Sequence, residues 1–141
     1  MDILYRARAS ATGGRTGHAM TDDGALAFAL MTPKELGGPA GQGANVEQLF
    51  ACGYAASFLG AVKFVARRHK LELTAETNVA ATVGIGMRED GTGFGLDVAL
   101  AVTLPEIEPA LAADLIEEAG VVCPYSHLTR NGLAVRVFLA A

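Results

Sequence analysis

The stretch from Asn45 to His69 constrains the chain most, because it reads as one long helix whose middle is nearly all small: Ala51, Cys52, Gly53, Ala55, Ala56 and Ser57. Asn45 followed three residues later by Gln48 is a capping-box start, and Glu47 falls in the first turn, where the helix dipole favours an acid. Gly53 in mid-helix costs about 1 kcal/mol relative to alanine, so a packing reason is expected. Small residues let another helix come close, or they pack on a sheet within the same chain. Five residues at 3.6 per turn set Cys52 and Ser57 about 140° apart around the axis. They cannot both point into one site.

The flanks read as strands and a second helix. Tyr5, Ala7 and Ala9 alternate with Arg6, Arg8 and Ser10, which predicts a strand ending at the Thr12-Gly13-Gly14 turn. Ala25 to Met31 reads as another strand, and the glycine-rich Gly37 to Asn45 as a loop. Asn78 to Gly86 and Phe94 to Leu104 read as two strands joined by the turn between Arg88 and Gly93. Pro109 to Val122 predicts a helix with Leu111, Leu115, Ile116 and Ala119 on one stripe, stopped by Pro124. Leu133 to Leu139 reads as a closing strand. This order implies an α+β fold, helices against a largely antiparallel sheet.

With 141 residues the chain fits one domain. Although 51% of the residues are hydrophobic, no uninterrupted apolar run approaches the roughly 18 residues of a membrane span. The start MDILYRARAS has an acid at Asp2 and no apolar core of a signal peptide, so a cytoplasmic protein is expected. Net charge is −4, and the one basic cluster, Lys63, Arg67, Arg68, His69 and Lys70, suits the C-terminal turn of a helix rather than a nucleic-acid footprint. Cys52 and Cys123 lie in no C-x-x-C pattern; such a pair is redox-active, or is two unrelated buried thiols. His18, His69 and His127 show no metal-site spacing, and no metal is expected.

Three blocks, ATGGRTG (Ala11 to Gly17), TPKELGGPAGQGANVEQLFACGYAASFLGA (Thr32 to Ala61) and VCPYSHLTRNG (Val122 to Gly132), resemble the organic hydroperoxide resistance proteins of the OsmC/Ohr family. The likeness runs in order along nearly the whole chain. It implies one OsmC/Ohr-like domain over residues 1–141, with largely antiparallel sheets wrapped around two helices in an intertwined homodimer. It also implies a thiol peroxidase that reduces alkyl and fatty-acid hydroperoxides to alcohols with two cysteines. Such an enzyme binds no cofactor and is re-reduced by dihydrolipoamide or a lipoylated protein. Carried over by motif, Arg15 is the arginine of GGR, Glu47 the glutamate of N-P-E-Q, and Cys123 the resolving cysteine. The peroxidatic cysteine belongs at the last position of G-Y-A-A-C, which here is Ser57; the proline of N-P-E-Q is replaced by Val46.

Residue chemistry adds to these assignments. A thiol attacks a peroxide as thiolate, so its position needs a nearby cation, and Arg15 held by Glu47 would supply one. Cys123, read as lying at a helix C-terminus where the dipole is negative, is poorly placed for a lowered pKa and suits a resolving thiol. Serine is hardly ionised near neutrality and forms no sulfenic acid. Ser57 is therefore an engineered Cys→Ser change or the mark of a natural member without peroxidase activity. Retention of Arg15, Glu47 and Cys123 favours the first. Cys52 as an alternative nucleophile is disfavoured by its direction on the helix. Phe58, Phe94 and Tyr125 are candidates to line a channel for an alkyl peroxide. Glu47 and residue 57 are about 15 Å apart along a straight helix, too far to share one arginine within a chain. The helix is therefore expected to cross its copy near Cys52 and Gly53. Two rivals remain: an OsmC-like module holding an apolar or lipid ligand without turnover, and an anion site on the glycine-rich loop at the helix start.

Overall fold

The computed structural model describes residues 1–140. They divide into two compact units, Met1–Phe50 and the chain from Ala51 onward.

In the first unit, β1 (Ala9–Thr12), β2 (His18–Thr21) and β3 (Ala27–Ala29) form an antiparallel sheet in that order. Ser10 lies opposite Met20 and Ala19 opposite Phe28. Glycine sets the β1–β2 turn. Gly13 and Gly14 have φ of +73° and +63°, a region that suits a residue without Cβ. A Cβ on Gly17 would collide with the Thr12 carbonyl. The short 3-10 turn Gly14–Thr16 between them presents Arg15. After β3, Leu30 is buried and bridges Ala44 in parallel. The Met31 amide donates to the Ala44 carbonyl at 2.9 Å and the Ala44 amide to the Ala29 carbonyl at 3.0 Å. The glycine-rich segment is therefore a loop whose end is tied back to β3.

Helix α1 (Val46–Arg68) starts in the first unit and runs unbroken into the second. Its capping box forms reciprocally: the Gln48 amide donates to Asn45 Oδ1 at 2.8 Å and the Asn45 amide to Gln48 Oε1 at 2.9 Å.

In the second unit, α1 buries Tyr54, Phe58, Ala61, Val62, Val65 and Ala66, a stripe at three- and four-residue spacing. Helix α2 (Pro109–Val122) adds Leu115 and Ala119 to the core, and α3 (Pro124–Asn131) adds Ser126. The Glu108 side chain caps α2, accepting from the Ala110 and Leu111 amides, and Pro109 occupies the first turn, where its missing N–H costs nothing. His69 Nε2 meets Glu118 Oε1 at 2.8 Å and ties the end of α1 to α2. Strands β4 (Asn78–Met87) and β5 (Phe94–Thr103) form an antiparallel hairpin in continuous register from Asn78–Thr103 to Met87–Phe94. By length and composition alone α1 could cross a membrane, as the core helix of a globular protein also can. Its buried stripe and its bond to α2 fit the second description.

The α+β expectation holds, with three helices where two were expected. Other readings are corrected. Pro124 ends α2 yet also opens α3, because proline disfavours helix in the residue before it but suits a first helical position. The expected strand from Tyr5 begins only at Ala9, and residues 1–8 are exposed outside any ladder. The expected closing strand, Leu133 to Leu139, is absent: residues 132–140 have no ladder, and Leu133, Val135, Val137 and Leu139 are exposed. Alternation marks a segment fit to pair, but a strand also needs a neighbour. Among the described residues no strand pairs with residues 132–140, and the N-terminal end has only the Asp22 amide on the Arg8 carbonyl at 3.0 Å and the Arg8–Asp22 ion pair.

Candidate active site

The β1–β2 turn and the first turn of α1 bring Arg15 to Glu47. Arg15 Nη1 sits 2.8 Å from Glu47 Oε1 and 3.0 Å from Oε2, with the arginine side chain 42% exposed and the glutamate 11%. Thr16 and Thr32 share a hydroxyl contact of 2.7 Å and pin the same turn to the segment after β3. The result is a cation whose position is fixed while part of its surface stays open.

The second unit answers which of Cys52 and Ser57 faces a site. Cys52 is exposed, whereas Ser57 Oγ lies 3.5 Å from Cys123 Sγ. Cys123 has no exposed surface and occupies the α2–α3 junction. Its amide closes α2 on the Ala119 carbonyl at 2.8 Å, its carbonyl accepts from the His127 amide at 2.9 Å, and it is the N-cap of α3. The expectation that Cys123 sits only at a negative helix end, unsuited to ionisation, is therefore overturned. Burial opposes ionisation, but hydrogen bonds from the Ser57 hydroxyl, the Ser126 amide and hydroxyl and the Tyr125 amide outweigh it and hold the thiol below its ordinary value. The sequence carried this signal in Pro124, which can open a helix as well as end one.

Gly53 has its packing reason inside this unit. A Cβ there would lie 3.1 Å from the Tyr125 hydroxyl, so the glycine admits the first turn of α3. Tyr54 and Tyr125 rings pack with centroids 5.6 Å apart. Tyr54 Oη lies 2.9 Å from Ser126 Oγ, a buried contact, and 3.2 Å from Oγ1 of the exposed Thr129, a hydroxyl network that motif reading missed because its members are scattered over 75 positions. The proposed aromatic channel is not assembled as one wall. Phe58 is a core side chain, Phe94 is exposed opposite Met87, and Tyr125 lies against Gly53. Among the described residues no cluster of His, Cys, Asp and Glu could hold a metal ion.

The family described as OsmC-like protein matches residues 38–138. The chain belongs to the OsmC/Ohr family. An organic hydroperoxide resistance protein of Xanthomonas axonopodis pv. citri is 48% identical over 138 residues, covering 98% of this chain and 96% of that protein. The Bacillus subtilis OhrB protein is 38% identical over 96% of this chain and 98% of its own length. A crystal structure of an organic hydroperoxide resistance protein from Elizabethkingia anophelis superposes with a TM-score of 0.86 at 48% identity, covering 93% of this chain and 92% of that one. The OsmC/Ohr fold is thus shared along almost the entire sequence.

Proposed function

We propose that this chain serves organic hydroperoxide resistance through a thiol peroxidase site in which position 57 is the seat of the attacking group. The observation that carries the reading is Ser57 facing Cys123 at 3.5 Å while Cys52 points elsewhere. With a thiol at position 57, its thiolate would attack the distal peroxide oxygen of an alkyl or fatty-acid hydroperoxide. The O–O bond breaks, the alcohol leaves with a proton, and a sulfenic acid remains. Cys123 then attacks that sulfur, forming a disulfide and releasing water. A dihydrolipoyl group, free or on a lipoylated protein, returns both thiols in a cytoplasmic setting. Arg15, held by Glu47, supplies the charge that keeps the attacking sulfur ionised and steadies the departing oxygen.

The site is assembled between two copies in this reading. Glu47 and Ser57 are ten residues apart on one unbroken helix, about 15 Å of axis, so a second α1 crossing near Cys52 would bring Glu47 of one protomer to Ser57 of the other. Exposed, unladdered segments at both ends, residues 1–8 and 132–140, support an intertwined homodimer.

Ser57 removes the nucleophile from machinery otherwise retained. That same substitution favours a second reading, a non-catalytic OsmC-like module for an apolar ligand. One assay separates them: reduction of a fatty-acid hydroperoxide by dihydrolipoamide. The chain with Ser57 is expected to show no turnover and Ser57→Cys to turn over rapidly; an inert Ser57→Cys protein that still binds lipid would establish the module instead.

A further inference from the structure

The basic end of α1 has no part in the chemistry above, and two of its charges are not used by the fold. Arg68 lies over the Phe64 ring at 5.8 Å, and His69 is held by Glu118. Lys63 and Arg67, one turn apart, are exposed, and their side chains make no hydrogen bond or ion pair among the described residues. Both line a cavity of about 320 Å³ whose other walls are Ala66, Leu71, Leu73 and Glu72. Two cations beside apolar walls suit an anion with an apolar tail. Glu72 opposes an anion there, but two positive charges against one negative leave the cavity cationic.

The same face of the helix leads to residue 57. Ser57, Gly60, Phe64 and Arg67 follow one another at three- and four-residue spacing, which stacks them on one side of α1. The surface between is low and apolar: a Cβ on Gly60 would meet nothing within 4 Å, and Phe64 is 45% exposed. Ser57 and Arg67 are ten residues apart on the helix, about 15 Å of axis, the span of a long acyl chain from a mid-chain carbon to its carboxylate. An antiparallel copy of α1 crossing near Cys52 leaves this face open, because the helix starts at Val46, six residues from the crossing, and so reaches no further than Phe58.

We propose that Lys63 and Arg67 read the carboxylate of a long-chain fatty-acid hydroperoxide, holding it at the far end of α1 while the chain lies over Gly60 and against Phe64 with the peroxide at position 57. The two side chains touch the head of the substrate and none of its reacting atoms. They set which hydroperoxide is taken and how far from the carboxylate the peroxide must sit. The inference rests on the reading of position 57 as the seat of peroxide attack.

The test sets a fatty-acid hydroperoxide with a mid-chain peroxide against its methyl ester, which has the same chain and no charge, in the Ser57→Cys protein. The acid is expected to show a KM about three- to fivefold below that of the ester, the strength of an exposed ion pair, and added salt should shrink that preference. Lys63→Gln combined with Arg67→Gln is expected to abolish the preference and Glu72→Gln to enlarge it, opposite signs that loosened packing would not produce. A second measurement needs no turnover: calorimetry of linoleate, below its micelle concentration, on the chain with Ser57. There the double variant is expected to bind about three- to fivefold more weakly and Glu72→Gln more tightly. An acid-to-ester preference unmoved by the double variant, or linoleate bound as tightly without both cations, would overturn the proposal. An inert Ser57→Cys protein whose linoleate affinity still follows these three residues would overturn the peroxidase reading and leave the carboxylate site standing.

Discussion

Arg15 illustrates what a single residue contributes here. One guanidinium nitrogen straddles both oxygens of Glu47, at 2.8 and 3.0 Å, but with the arginine 42% exposed the pair adds no more than about 1 kcal/mol to stability. Its value is placement of charge. In the Ser57→Cys protein, Arg15→Lys is expected to cut kcat/KM for a hydroperoxide by about tenfold or more, since lysine keeps the charge and loses the planar fork. The melting temperature should move by no more than about 4 °C. Loss of stability in proportion to activity would contradict this. The resemblance to the OsmC/Ohr family brought Arg15 and Glu47 to notice as site residues, and helical arithmetic separated Ser57 from Cys52. The lowered pKa of Cys123 was illegible, because against its burial it depends on the Ser57 hydroxyl, the Ser126 amide and hydroxyl and the Tyr125 amide, which converge only once α3 has formed.

Among the elements, the β1–β2 turn is the most exacting. Gly17 has an ordinary negative φ, yet a Cβ there would strike the Thr12 carbonyl, a backbone atom that cannot swing aside. Gly17→Ala is therefore expected to cost about 1–3 kcal/mol in urea unfolding and to loosen Arg15 from Glu47; an unchanged midpoint would contradict that. Where local chemistry decides an element, the sequence was readable: the Asn45–Gln48 capping box and the β4–β5 hairpin formed where propensity put them. Where pairing decides, it was not. Leu133 to Leu139 has the alternation of a strand and no partner strand among the described residues, and α3 was hidden behind a proline taken only as a stop.

For the whole molecule, the unladdered ends and the spacing of Glu47 and Ser57 lead to one expectation, a homodimer by light scattering. Truncation after Gly132 should weaken it to a monomer–dimer mixture at micromolar concentration; a monomer of the full chain at high concentration would contradict the shared site. The central claim is that position 57 and Cys123 form one redox pair. It is tested most directly by treating the Ser57→Cys protein with one equivalent of a fatty-acid hydroperoxide and mapping its disulfide by peptide mass. The account predicts a bond between residues 57 and 123, with Cys52 left alkylatable. A bond through Cys52, or an oxidised residue 57 beside a reduced Cys123, would contradict it.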